Sequence, residues 1–145
     1  MKTLLWDSMN TITKLYESHL APVSEKYAMT RAELDILLFF ANNPQYDRAV
    51  DVIEVRKVAK SHVSVSIQDL LKMGYLQAVY DKDNQRDIHL HVTSKADPIL
   101  KIGRKAQDQF VKTLFHGFRK EEKEQMRTSI EKMMMNAEQY FEAEK

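Results

Sequence analysis

The sequence of 145 residues contains no cysteine and only three glycines and three prolines. Without cysteine it can form neither disulfide bonds nor cysteine-based zinc sites, and a reducing cytoplasm is compatible with that composition. So few glycines and prolines favour long helices joined by few turns. No apolar run reaches the roughly 20 residues that a membrane-spanning helix needs. The first ten residues, which Asp7 interrupts, do not resemble a signal peptide. We therefore expect a cytoplasmic protein without membrane contact.

The chain also lacks a strong excess of charge of either sign. Its 22 basic and 21 acidic residues give a net charge of +1, and 43% of its residues are hydrophobic, a composition typical of a folded chain. Residues 46–105 carry a net charge of +3, whereas the segments on either side carry −1 each. This mild positive balance is compatible with nucleic-acid binding, although ordinary protein surfaces show it about as often.

Motifs for catalysis and metal binding are lacking as well. There is no glycine-rich phosphate loop and no nucleophile elbow, so we do not expect an enzyme. The segment from Asp81 has calcium-ligand residue types at its first, third and fifth positions, but arginine and valine replace the glycine and glutamate that an EF-hand requires. His89 and His91 share one strand face, but no third zinc ligand is evident. We expect no metal and no cofactor.

Apolar residues recur at helical spacing through most of the chain. Pro22 should break or kink the first helix or start a new turn, Thr30 and Glu33 form a capping-box signature, and Asp47 is a candidate N-cap. The helix after Thr30 is apolar nearly all round, as is typical of a helix at the centre of a fold. Helices are predicted over about 3–20, 31–41, 47–58 and 60–73, after Thr93 or Ser94, and after a turn near residues 116–120.

A β-hairpin follows the fourth predicted helix. Residues 75–80 and 87–93 alternate apolar and polar side chains around the polar stretch DKDNQR, a pattern that indicates two paired strands. Two short, closely joined helices followed by a hairpin make a winged helix-turn-helix. We therefore predict a mainly α-helical fold with a small β-hairpin, in which residues 30–94 form a winged helix-turn-helix region that binds DNA.

The segment KSHVSVSIQDLLKMGYL, residues 60–76, has the pattern of a recognition helix. Its apolar residues, such as Val63 and Ile67, fall on one helical face that would pack on the preceding helix and the hairpin. An ordinary amphipathic surface helix has the same pattern, but the hairpin that follows favours DNA binding. The side chains expected to reach base edges in a major groove are Ser61, His62, Ser64 and Gln68. Positive charge for the phosphates would come from Lys60, Lys82 and Arg86.

The first and last helices carry more apolar surface than one small module needs, and the last has heptad-like spacing. This surplus predicts pairing with a second copy of the chain through a helical region made of residues 1–29 and 95–145. The residues expected in this interface are Leu5, Met9, Ile12, Met126, Ile130, Met133, Ala137 and Tyr140.

Together these features resemble the MarR (multiple antibiotic resistance regulator) family of bacterial transcription factors. The resemblance rests on the segment 60–76, with its Leu-x-x-x-Gly-Tyr/Leu-Leu ending, and on DKDNQRDIHLHVTSKA, which matches the wing and the start of the next helix. The motif match covers about residues 47–107. The resemblance implies a homodimeric regulator of transcription, a repressor in our interpretation, with interlocked terminal helices. Its two recognition helices would enter successive major grooves of a pseudo-palindromic double-stranded DNA operator. The family often implies a small-molecule effector, for which we predict no residues.

Two positions depart from the family pattern. The wing motif usually reads Asp-Arg-Arg, where this sequence has Asn84, Gln85 and Arg86. Loss of the Asp-to-Arg brace predicts a looser wing, or a minor-groove contact that rests on Arg86 alone. Val65 stands where similar proteins often have a basic side chain, which predicts lower phosphate affinity. The complete expected DNA-contacting set is Lys60, Ser61, His62, Ser64, Val65, Gln68, Lys82, Asn84, Gln85 and Arg86.

The modest charge and the altered wing also favour an alternative function. In that alternative the winged helix binds another protein and no DNA. Salt dependence separates the two, because neutralising phosphates makes affinity fall steeply with salt.

Overall fold

The structure is a computed structural model that describes residues 1–84 and 86–145; Gln85 of the predicted wing lies outside the described residues. The predicted mainly helical fold with one hairpin is confirmed. The elements are α1 Lys2–Lys26, α2 Arg31–Asn42, α3 Ala49–Arg56, α4 Lys60–Lys72, β1 Leu76–Tyr80, β2 Ile88–Val92, a 3-10 turn Ser94–Ala96, α5 Asp97–Leu114 and α6 Lys120–Ala143. Among the described residues, no helix is both long and apolar enough to cross a membrane.

The chain divides into two compact units, Met1–Phe110 and Val111–Lys145. The core of the first unit centres on α2, whose Leu34 and Leu37 are fully buried. The helix contacts α1, α4 and β2, which explains why its sequence is apolar nearly all round. In the second unit, Gly117 has a φ of 80°, and the turn there leads into α6, all of whose side chains are at least partly exposed.

The start of α2 confirms the predicted capping box. The Glu33 backbone amide donates to Thr30 Oγ1 at 3.0 Å, and the Thr30 amide donates to Glu33 Oε1 at 2.8 Å. These two bonds satisfy amides that a helix start otherwise leaves without a partner.

Pro22 was expected to break or kink the first helix or to start a new turn, and of these the break and the new turn are wrong. The helix continues through Pro22 to Lys26. Proline removes only one backbone donor at this point, and the residues that follow, Val23 and Ser24, are buried. The Ser24 hydroxyl also donates to the carbonyl of Ala21 at 3.0 Å. Packing on the core therefore keeps the last turn helical.

The expected N-cap Asp47 is also wrong. The cap residue of α3 is Arg48, and the backbone amides of Asp47 and Arg48 both donate to Asp51 Oδ2, at 3.2 and 3.0 Å. The carboxylate of Asp47 is turned to a different partner, His89, at 2.8 Å. The helix ends at Arg56 because Lys57 adopts a left-handed conformation with a φ of 54°, and α4 begins three residues later, at Lys60.

The hairpin is attached to the end of α4. Gly74, with a φ of 81°, lets the chain reverse, and the Tyr75 amide donates back to the Leu70 carbonyl at 3.0 Å, as in a glycine-terminated helix. The strands pair antiparallel, with Leu76 opposite Val92. Thr93, predicted together with Ser94 as a possible cap of the next helix, is the N-cap residue of the 3-10 turn, but its side chain makes no cap hydrogen bond. Its hydroxyl donates instead to the Gly74 carbonyl at 2.6 Å. This bond holds the end of β2 against the start of β1.

Candidate nucleic-acid interface

One side of α4 is exposed along its whole length. Ser64 and Gln68 recur at a spacing of four, as residues on one helical face do, and they are exposed together with Ser61 and Val65. The opposite face buries Val63, Ser66, Ile67 and Leu70, which anchors the helix on α2, α3 and β1. The structure thus brings the predicted base-reading residues onto one solvent-facing surface, which we call the α4 face.

His62 lies at the edge of this face. Its side chain is exposed, and it also lines a cavity on the other side of the helix. Val65, by contrast, is 63% exposed and lies in the middle of the α4 face. Lys60 is the first residue of the helix and is exposed.

The tip of the wing is a turn held by short-range hydrogen bonds. The Arg86 amide donates to Asn84 Oδ1 at 3.1 Å, and the Asp83 amide donates to Asp81 Oδ1 at 3.2 Å. Lys82, Asn84 and Arg86 are all exposed. Within residues 1–84 and 86–145, no carboxylate forms an ion pair with Lys60, Lys82 or Arg86. These three cations are therefore free to meet phosphate groups.

The base of the wing carries a charged cluster that sequence reasoning missed. Arg48 Nη2 lies 3.0 Å from Asp87 Oδ2, and His89 Nδ1 lies 2.8 Å from Asp47 Oδ2. We call these four residues the wing-base cluster. The sequence lacks the Asp-to-Arg brace of the MarR wing motif, but this cluster ties β2 and the residue before it to the loop before α3. The prediction of a looser wing was based on the missing brace alone and did not include these contacts.

The hydrogen bond from His89 to the Asp47 carboxylate raises the pKa of His89 above its ordinary value. Burial opposes this shift, while the negative charges of Asp47 and Asp87 add to it and the Arg48 guanidinium subtracts from it. An imidazole between carboxylates favours its protonated form because that form can donate from both ring nitrogens.

Three residues at the base of the wing have the side-chain types of a cation site. Ligand atoms of Asp81, Asp87 and His89 all lie within 4.8 Å of one another. However, Asp87 is already paired with Arg48, and the Nδ1 atom of His89 is bonded to Asp47. Because two of the three groups already have these partners, we do not assign the three residues as metal ligands.

A cavity of about 610 Å³ lies beside the start of α4. Its walls are mainly apolar, with side chains such as Ile36, Phe39 and Val63. Desolvation raises the pKa of Asp35 at its edge, and the charges of Arg31 and Arg56 partly offset this effect. The residues around the cavity come from α1 to α5 and from the segments that follow α2 and α3: Tyr16, Ala32, Asp35, Ile36, Leu38, Phe39, Asn42, Asn43, Val52, Arg56, Val58, Ala59, His62, Val63 and Gln107.

No single stretch of sequence indicated the wing-base cluster or the cavity. The cluster joins residues about 40 positions apart, as in the pair of His89 with Asp47, and the cavity draws on five helices. The alternation of acidic residues and histidines from Asp81 to His91 was the one sequence signal for the cluster, and nothing in the sequence marked Asp47 and Arg48 as its partners.

The α4 face presents hydrogen-bonding groups and the wing tip presents unpaired cations, which are the groups that a DNA-contacting surface offers.

Comparison with known proteins identifies relatives in structure only. No family model matches the sequence, and no curated protein sequence matches it. A MarR protein from Peptoclostridium difficile has a TM-score of 0.84 and 22% identity, covering 100% of this chain and 94% of its own. A putative MarR family transcriptional regulator from Listeria monocytogenes, complexed with a 26mer DNA, has a TM-score of 0.83 and 18% identity, covering 94% and 89%. The MepR–DNA complex of S. aureus has a TM-score of 0.71 and 16% identity, covering 93% and 94%.

Proposed function

Because the chain has the fold of the MarR-type transcriptional regulators, we propose that it belongs to this group and is a sequence-specific DNA-binding regulator of transcription, acting as a repressor. The observation that carries this function is the α4 face. It presents Ser64, Val65 and Gln68 to solvent, followed in the chain by a wing with unpaired cations. A major groove admits one such helix, and the wing tip suits the phosphates or the minor groove beside it.

We also infer that the protein acts as a homodimer on a pseudo-palindromic operator. Both terminal helices leave large apolar side chains in solvent: in α1, Trp6 is 68% exposed, and in α6, Met133 is 52% exposed. Apolar surface of this extent usually marks an interface. The predicted interface residues Leu5, Met9, Ile12, Met126, Ile130, Met133, Ala137 and Tyr140 are all exposed, which supports this role.

The cavity suits a small-molecule effector. Its volume of about 610 Å³ falls within the range of about 300–1,000 Å³ that is typical of ligand sites. Its apolar walls and scattered polar groups favour a largely apolar molecule with a few polar groups. Since His62 and Val63 of the first turn of α4 line it, an occupant would contact the recognition helix directly. Because this helix carries the proposed base-reading side chains, its contact with an effector supports release of DNA on effector binding.

The DNA-binding function is tested by titrations across a salt series, using duplexes selected from a random pool and an unselected duplex. We expect tight binding to the selected duplex and a steep fall in affinity with salt, because each neutralised phosphate contributes about 0.9 to the log–log slope. Arg86→Ala should weaken binding to both duplexes and flatten the slope by about one per subunit.

Lys132→Ala is the matched control, because it removes an exposed cation of α6 that lies far along the chain from the wing. It should leave the slope unchanged. If Arg86→Ala gives the same slope and affinity as the unmodified protein, the wing does not contribute to DNA binding. If no duplex is selected and binding shows no salt dependence, the alternative of a protein-binding winged helix is favoured.

A further inference from the structure

We propose that Asp47 and Arg48 are positioning residues that hold the wing in its DNA-competent place through His89 and Asp87, and that the proton on His89 sets how firmly it is held. Three contacts carry this inference: the ion pair of Arg48 with Asp87 at 3.0 Å, the bond of His89 with Asp47 at 2.8 Å, and the bond from the Leu90 amide to the Asp47 carbonyl at 2.6 Å. The consequence for DNA rests on the proposed function, whereas the positioning of the wing does not.

The loop that carries Asp47 is itself fixed to the core. The ring of Tyr46 stacks on Phe39 of α2, with centroids 5.6 Å apart and an angle of 12° between the rings. On the other side, Asp51 of α3 accepts the backbone amides of Asp47 and Arg48. The loop is thus held by both neighbouring helices, so contacts made to it by the wing place the wing relative to the helix-turn-helix.

Apart from the wing-base cluster, few contacts of the described residues hold the wing in place. Two strands alone are at most marginally stable in water, and only Leu76 of β1 and Leu90 of β2 are buried among the described residues of the two strands. The far ends of the strands, around Tyr80 and Ile88, are exposed. The wing-base cluster lies next to this exposed half, where apolar packing contributes least.

The groups that surround His89 determine the sign of the pH effect. Asp87 directly precedes β2, and its Oδ2 lies 3.6 Å from His89 Nε2. Asp81 directly follows β1. Asp47 and Arg48 come from the loop before α3, and the residue opposite on β1 is the uncharged Val79. Carboxylates outnumber the guanidinium, so the site favours a protonated imidazole.

Since the pKa of His89 is raised in the folded state, protonation and the docked wing support each other. The contribution is fully present below the ordinary pKa of 6.5 and is lost as the pH rises through the higher folded-state pKa. The wing should therefore be held more firmly in mildly acidic than in alkaline solution.

The first experiment follows the imidazole signals of the full chain by NMR from pH 5 to 9. We expect Asp47→Asn to lower the pKa of His89 towards its ordinary value, because asparagine keeps an acceptor oxygen but loses the charge. The control His91→Gln, at an exposed position of the same strand, should leave the titration of His89 unchanged. A His89 titration that Asp47→Asn leaves unchanged would overturn the proposal.

Amide hydrogen exchange then tests the positioning itself. The Leu90 amide reports it directly, because it bonds to the Asp47 carbonyl. After correction for the intrinsic rate, its protection should fall as the pH passes the pKa of His89. His89→Gln should abolish this step, and the control His91→Gln should retain it. The same step in His89→Gln as in the unmodified protein would show that another group is responsible.

DNA titrations with Asp47→Asn provide a third test, because loss of wing positioning and a simple change of charge predict opposite changes in DNA affinity. Removing an acidic charge from a DNA-binding protein strengthens binding through long-range attraction. Loss of wing positioning instead weakens binding to the selected duplex, by about two- to fivefold, the size that partly exposed ion pairs support. Stronger binding would contradict positioning. If the unmodified chain binds no DNA, the proposed function fails, while the titration and exchange results still decide the role of Asp47.

Discussion

Gln68 is the residue on the α4 face best suited to read a base. Its amide can donate and accept at once and so pairs in two-fold fashion with adenine, and its neighbour Val65 can contact a thymine methyl group in the same groove. The other exposed side chains of this face are the small hydroxyls of Ser61 and Ser64, with His62 at its edge. Such a face suits recognition of bases better than attraction to phosphates.

We predict that Gln68→Ala weakens binding to the selected duplex by about 1–3 kcal/mol and barely changes binding to an unselected duplex. The reason is that only the matched duplex offers the two-fold pair. Titrations against both duplexes at one salt concentration measure the difference. Lys72→Ala, which removes an exposed cation at the end of the same helix, is the control and should not discriminate between them. Equal losses on both duplexes for Gln68→Ala would show that Gln68 does not read bases.

At the scale of elements, α2 is the central helix on which its neighbours pack. It contacts α1, α4 and β2, so its start must be well defined. The capping box supplies this definition, and it also partners Glu33, which is only 5% exposed. A buried carboxylate without hydrogen bonds would be costly, so cap and core depend on each other.

Thr30→Ala should therefore lower the free energy of unfolding by about 0.5–2 kcal/mol. The expected value lies in the upper half of this range, because the change frees the Glu33 amide at a helix start. Thr30→Ser keeps the accepting hydroxyl and should cost much less. Chemical denaturation monitored by circular dichroism measures both variants. Equal destabilisation by the two substitutions would attribute the effect to the lost methyl group and not to the cap.

At the scale of the whole molecule, the exposed apolar side chains of α1 and α6 call for a partner. In α6, Ile130 and Met133 are three residues apart and both about half exposed, and Tyr140 follows one heptad after Met133. Their spacing is that of a helix which packs along another helix. A second copy of the chain is the partner that the proposed function needs.

We predict a stable dimer of the unmodified chain. Replacing both Ile130 and Met133 with aspartate should dissociate or unfold it, because the charges would be buried in an apolar seam. Sedimentation and circular dichroism separate these two results. Lys132→Asp changes the charge of the same helix at an exposed polar position and should leave the dimer intact. A folded monomer for the unmodified chain at micromolar concentration would contradict the prediction.

The sequence by itself determined the local features. Periodicity, the capping box after Met29, Gly74 and the alternation on either side of DKDNQR were enough to predict the element order, the hairpin and the outward side of α4. These are decided by neighbours within a few positions, whose spacing the sequence displays directly. The resemblance to the MarR family, drawn from the same segments, is confirmed at the level of the fold.

Only the tertiary structure decided which distant groups meet. The pattern around Pro22 predicted a break, a kink or a new turn, but the helix continues because burial of Val23 and Ser24 outweighs one missing donor. Asp47 has the residue type of an N-cap, yet its carboxylate bonds to His89, 42 positions away. The physical reason is that a carboxylate accepts whichever donor the fold presents to it. That choice depends on how the chain packs, and no spacing along the sequence reveals it.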